Sequence, residues 1–353
     1  MFTFIQNLTT KQRSWIAAGV TSAIVVALGG WWAISSHQVA PAKPHIQAAA
    51  KKVVIPKPKP RVVPVNPLTG LLPAPQGPVV AVKIDDTAPA RPSAGLDRAD
   101  VIYIEEAEGG ESRMLAVFAT AKPEVEAVRS VRASDPELLG SYLRPILVAS
   151  GGGGSALPTL DRSPLHPVIN DRGQAGFHRD DSRPAPYNLV ADLSMISRAF
   201  PNASGVRDVG FTWNRTYPTA AGGRPAAQVS TLVGSTPMTF SWGPVSGTYV
   251  RTINGLALRA ADGRPVARAN VLIQYCQINV DRGDIDVLGN PSMYTKTIGQ
   301  GKIVLFRDGK RIDGTWSRAS LGAPTRYVDV HGQPLPLAPG GTFVLLVRPG
   351  VGA

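Results

Sequence analysis

The sequence has a single cysteine, Cys276, in 353 residues. A lone thiol excludes an intramolecular disulfide, and a chain of this length builds its core without one. Cys276 lies in the apolar run "NVLIQYCQINV" and reads as a small buried hydrophobe. His166, His178 and His331 lack the spacing of a zinc site. No G-x-S-x-G elbow is present. "GGGGSA" (151–156) lacks the G-K-[ST] of a P-loop. "HRD" (178–180) stands without a glycine-rich ATP loop or D-F-G, so the kinase reading fails.

Residues 1 to 65 contain no acid, yet hold Lys11, Arg13, Lys43, Lys51, Lys52, Lys57, Lys59 and Arg61. The net charge of +12 is therefore concentrated in this arm, and the rest of the chain is only mildly basic. Such asymmetry argues for a membrane or envelope setting over DNA, and no nucleic-acid partner is expected.

What is present in the arm is "WIAAGVTSAIVVALGGWWAI" (15–34), twenty uncharged residues. At about 1.5 Å per residue, such a helix spans roughly the 30 Å of a bilayer core. Trp15, Trp31 and Trp32 suit its two interfaces, and Lys11 and Arg13 hold the preceding end inside. The expectation is a single-pass anchor in the cell membrane, with residues 1–14 as a cytoplasmic tail and the folded part extracytoplasmic. A cleaved signal peptide is the competing reading, for which "VAPA" (39–42) is a poor cleavage site. Residues 35–65, rich in proline and lysine, read as an extended linker reaching about 90 Å.

Beyond it the pattern predicts an α+β protein: a mixed α/β layered domain over 66–205 and a β-rich domain over 206–353. "PVVAVKIDD" (78–86), "DVIYIEEAEG" (100–109), "RMLAVFAT" (113–120) and "PILVAS" (145–150) read as strands, the second and third as a hairpin. "SDPELLGSYLR" opens a helix with Ser134 and Glu137 as a capping box. "NLVADLSMISRAF" (188–200) reads as a helix capped by Asn188, with Leu189, Leu193, Ile196 and Phe200 on one face. After residue 205 short β runs dominate, and Asp308-Gly309 signals a hairpin.

Charge gathers where these strands end. Ligands of layered α/β folds sit at strand ends, and arginine forks suit phosphate or carboxylate. The candidate ligand-binding residues are Arg91, Arg113, Arg129, Arg132, His178, Arg179, Arg183 and Asn188. Asp85, Asp86, Asp100, Asp180 and Asp181 are candidate ligands for a divalent cation such as Mg²⁺. The turn after "PILVAS" is a further place where free backbone N–H groups bind an anion. Taken one by one, these residues are equally the makings of turns and surface pairs.

The runs "NPLTGLL" (66–72), "VAVKIDDTAPARPSAGLDRADVIYIEEAEGGESRMLAVFA" (80–119), "EAVRSVRASD" (126–135), "FHRDDSRPAPYNL" (177–189) and "GKIVLFRDGKRIDGTWSR" (301–318) resemble the YerB-like family of bacterial lipoproteins. The family is of unknown function and comprises an N- and a C-terminal domain. Two departures stand out: a helical anchor in place of a lipid, and Tyr187 where the family is expected to carry histidine. "RADVIYI" and "AVRSVRASD" are also similar to LytR-CpsA-Psr transferases. That likeness implies pyrophosphate on Arg129 and Arg132 and Mg²⁺ near Asp100. Two functions follow. One is an envelope protein that binds an anionic polymer or lipid-linked ligand without turnover. The other is a Mg²⁺-assisted transferase or hydrolase acting on a phosphate-linked cell-wall substrate. The first is preferred because no clear nucleophile or general base is present.

Overall fold

Three near-continuous apolar runs become strands buried along their whole length: β1 (Val80–Asp85), β2 (Val101–Glu106) and β3 (Ser112–Phe118). Strands buried on both faces carry such runs because neither face meets water. In the computed structural model, which describes residues 64–217 and 223–353, they form the middle of an 11-stranded sheet. β3 lies antiparallel between β2 and β1, and β1 continues into parallel Ile146–Ala149 and His166–Ile169.

On its other side β2 pairs in parallel with Thr342–Val347, and the sheet continues through Asn270–Tyr275, Gly299–Arg307, Lys310–Arg318 and Arg326–Asp329. The boundary near residue 205 thus marks a change in patterning but not a break in the sheet. The two halves are joined by main-chain pairing of Val101 with Thr342 through Ile104 with Leu345.

Each face of this sheet has a different cover. A five-stranded sheet, led by Gln228–Val233, Thr236–Gly243 and Thr248–Ile253, packs on one face, with the Phe240 and Phe343 rings 4.9 Å apart. Short helices α1 (Asp135–Leu139) and α2 (Ala156–Asp161) cover part of the other, where Leu139, Tyr142 and Leu160 meet Ala81, Leu115 and Leu147. Burying each such large side chain contributes roughly 1.5–3 kcal/mol.

The Asp308-Gly309 hairpin forms as expected, with both residues at positive φ and Arg307 opposite Lys310. Two local expectations are corrected. Ser134 makes no side-chain cap on α1, and Glu137 does not turn back to it. Glu137 instead accepts the Thr297 and Ile298 N–H groups (2.6 and 2.9 Å) and the Tyr294 hydroxyl (2.8 Å). Residues 188–200 are not one helix. Leu189–Asp192 is a strand, and the helix α3 (Leu193–Ala199) starts after it, with Asp192 rather than Asn188 capping the Met195 N–H at 2.9 Å. The strand wins because Val190 and Ala191 are needed in a three-stranded sheet with Glu124–Glu126 and Phe177–Arg179.

The four-glycine turn at 151–154 is tight because other chain segments occupy the space of its missing side chains. A Cβ at Gly154 would lie 1.8 Å from the Gly283 carbonyl oxygen, and one at Gly153 would lie 1.8 Å from Asp284 Oδ1. Backbone cannot yield as a side chain can. Gly154→Ala should therefore lower stability by about 1–3 kcal/mol, and equilibrium urea unfolding would measure it. An unchanged midpoint would show that this approach is not tight.

Among the described residues no helix is long and apolar enough to cross a membrane. The expected tail, the anchor at 15–34 and nearly all of the linker lie outside the described residues.

Candidate functional site

Pairing puts Asp85, at the end of β1, opposite Arg113 of β3, which in turn lies opposite Glu105 of β2. Arg113 Nη1 donates to Asp85 Oδ2 at 2.7 Å. Arg129 follows an isolated bridge between Ile84 and Val128, which brings it to the same strand end. Its Nε lies 2.8 Å from Asp85 Oδ2, an ion pair without a directed hydrogen bond. Arg132 pairs with Glu108 in the turn after β2, and Arg113 lies 3.9 Å from the same carboxylate. Three guanidinium groups thus converge on two carboxylates. The Nε–H groups of all three are buried; those of Arg113 and Arg132 have no hydrogen-bond partner among the described residues, and that of Arg129 meets Asp85 only in the misaligned ion pair.

The electrostatics follow from this surplus. Burial pushes the Asp85 carboxyl up, but Arg113, Thr87 and Arg129 outweigh it and hold it below its ordinary value. Burial likewise raises Glu108 while Arg132 and Ser292 bring it lower. Arg113 is held below the usual arginine range, first by burial and then, against the pull of Asp85, by Arg132 and Arg129. Arg113 is enclosed, whereas Arg129 keeps 27% of its side chain exposed. Its guanidinium carbon lies 5.8 Å from the centre of the Tyr187 ring.

Behind this cluster the acids are spent on structure. Asp86 takes both Nη atoms of Arg251 (2.7 and 2.8 Å) and the Ser112 hydroxyl (2.6 Å), and Arg91 lies 3.3 Å away. Lys83, fully buried in β1, bridges Glu105 and Asp135, the latter at 3.0 Å. Glu106 holds Arg348 through two hydrogen bonds of 2.7 and 2.9 Å. Lys83, Glu105, Glu106, Glu108, Asp135 and Arg251 were not singled out from the sequence. For Lys83, Glu105, Glu106 and Arg251 the one visible signal is charge within a strand, as in "VAVKID" and "VIYIEE"; Glu108, in a turn, and Asp135, in α1, carry no such signal.

The loop 177–189 divides between these two worlds. Arg183 reaches back to Glu126 (2.7 Å) and to the carbonyls of Pro92 and Pro89 (2.9 and 3.1 Å). Arg179 donates to Asn188 (2.7 Å), whose amide donates to the Asp180 carbonyl (3.2 Å). These contacts shape the loop. Asp180 caps the Ser182 N–H at 2.8 Å, which holds its carboxyl below the ordinary value. Asp181 is exposed, and His178 stands 4.0 Å from Glu124 with about half its side chain in water. The loop therefore touches the arginine cluster through Tyr187, not through its histidine.

Asp100 is not brought to the cluster. It stands at the other end of β2, five residues before Glu105, or about 17 Å along an extended strand. There it accepts the Ala119 and Thr120 N–H groups (2.6 and 2.8 Å) and the Thr120 hydroxyl (2.6 Å). Asp85 and Asp86 already face arginines, and Asp180 and Asp181 lie on the outer loop. Among the described residues no group of three or more histidine, cysteine, aspartate or glutamate side chains is arranged for a metal ion. The glycine turn is closely packed: Asp171, Val131, Asp284 and Gly283 fill the space of its four missing side chains.

The sheet-rich fold has known counterparts. The family model "Protein of unknown function (DUF3048) N-terminal domain" matches residues 68–207, and the corresponding C-terminal domain matches 228–344. The chain belongs to this family. It is 26% identical over 278 residues to the "Putative lipoprotein YerB" of Bacillus subtilis (strain 168), covering 76% of this chain and 80% of that one. The crystal structure of the YerB protein from Bacillus subtilis matches with a TM-score of 0.68 at 23% identity, over 82% of this chain and 99% of that one. That likeness establishes the shared mixed α+β fold.

Proposed function

We propose that this is a membrane-tethered, extracytoplasmic envelope protein that binds a phosphate- or carboxylate-bearing ligand at Arg129. The observation that carries this reading is the convergence of Arg113, Arg129 and Arg132 on only two carboxylates, Asp85 and Glu108, with Arg129 the most exposed of the three. Two carboxylates leave one of the three positive charges unmatched, and an anion entering beside the partly exposed Arg129 supplies a charge-assisted partner. Tyr187, against the same guanidinium, forms the wall on the loop side. Envelope placement is supported by the curated relative's description as a lipoprotein. The tether in this reading is the uncharged run 15–34, which lies outside the described residues.

The test is calorimetric titration of the full chain in detergent with inorganic pyrophosphate and, separately, citrate. Arg129→Ala should weaken binding by about 1.5–3 kcal/mol, roughly tenfold or more, with no comparable loss of fold stability. Equal affinity in the variant and the parent would remove Arg129 from the site and defeat the reading.

A further inference from the structure

A second concave surface lies far along the sheet, built from residues that the arginine cluster does not use. Cross-strand register places Lys302 opposite Thr315, Val304 opposite Asp313 and Phe306 opposite Arg311, so these side chains share one face. Tyr275 lies on that face too, two residues beyond Ile273, the partner of Val304. The five-stranded sheet covers the Phe306 end of the face. The other end remains open as a cleft of about 820 Å³, walled by Pro349–Val351.

The chemistry of this cleft is specific. Arg311 is occupied, donating to Asp313 (2.9 Å) and to the Ala353 carbonyl. Lys302 is exposed and, among the described residues, has no carboxylate within ion-pair distance. Gln277, Gln300 and Thr315 supply exposed amides and a hydroxyl around it. Burial holds the Tyr275 phenol above its ordinary value, against Arg311 and with Asp313, so it stays a neutral donor beside an apolar ring face. The strands beneath, Asn270–Tyr275, Gly299–Arg307 and Lys310–Arg318, lie inside the sheet, each between two neighbours. At the open end Gly299–Lys302 pairs on one side alone, with residues 315–318, so recognition falls chiefly to side chains.

A ring face, neutral amides and hydroxyls, and one unpaired ammonium suit a polyhydroxylated ring with a carboxylate. We propose that this cleft binds a saccharide chain bearing carboxylate groups. The test is titration of the full chain in detergent with oligogalacturonate, with oligo-N-acetylglucosamine and poly-glutamate as comparisons. Oligogalacturonate should bind saturably and more tightly than either. Lys302→Glu, an exposed change, should weaken it about tenfold or more by losing a charge-assisted contact. Thr315→Val should weaken it by a smaller factor, and Arg129→Ala should leave it unchanged. The proposal is overturned by no saturable uronate binding, by equal binding of the neutral sugar, by tighter binding of poly-glutamate, or by loss of binding in Arg129→Ala.

Discussion

Replacing Arg251 by alanine should destabilise the protein by about 3–5 kcal/mol, the cost of leaving a buried charge without its partner. Arg251 and Asp86 are both almost fully buried, and their two hydrogen bonds of 2.7 and 2.8 Å join the five-stranded sheet to the end of β1. Ser112 and the more distant Arg91 remain to Asp86 in the variant, but neither replaces a two-pronged guanidinium. Urea unfolding gives the comparison. Substituting both partners, Asp86→Asn with Arg251→Met, should recover much of the loss, because no orphan charge is left. A single variant as stable as the parent would mean that water reaches Asp86.

Lys83→Met should produce a loss of similar size at pH 8, and a distinctly smaller one at pH 5. Lys83 lies between Glu105 and Asp135, with no exposure of its own. Burial pushes the Asp135 carboxyl up to about 7, opposed by Lys83 and reinforced by Glu105. A carboxyl raised in the folded state binds its proton more tightly there than in the unfolded chain. Its contribution to stability is then fully present below the unfolded value of 3.8 and is lost as pH rises through about 7. Removing the lysine removes the opposing attraction, so stability should fall more steeply across that window. The Asp135 carboxyl, already raised, accepts a proton at pH 5 and escapes most of the cost, but at pH 8 it cannot. Unfolding curves at the two pH values would decide it. Equal losses at both would show that Lys83 acts by packing alone.

Much of the local structure was legible without coordinates. The strands ending at Asp85 and Ala149, the β2–β3 hairpin, the Asp308-Gly309 turn and the burial of Cys276 follow from short-range rules: side-chain alternation, positive φ at a two-residue turn, apolar runs. Asp85, Arg113, Arg129 and Arg132 were also legible as strand-end charges. The same reasoning failed where a local motif had a distant competitor. Ser134 and Glu137 spell a capping box, yet Glu137 is drawn to the N–H groups of Thr297 and Ile298, 160 and 161 residues away. Leu189–Asp192 carries a helical stripe, yet sheet pairing claims it.

By itself, then, the amino-acid order determined the charge asymmetry of the chain, most of its strands and turns, and the kind of side chain at each strand end. Those properties depend on a residue and its near neighbours. Only the tertiary structure decided that β2 pairs with Thr342–Val347, that Arg251 answers Asp86 across 165 residues, and that Asp100 stands at the wrong end of its strand for the arginine cluster. Such choices are global. A strand edge or a buried carboxylate takes whichever partner the packed layers leave within reach, and local sequence does not encode that remainder.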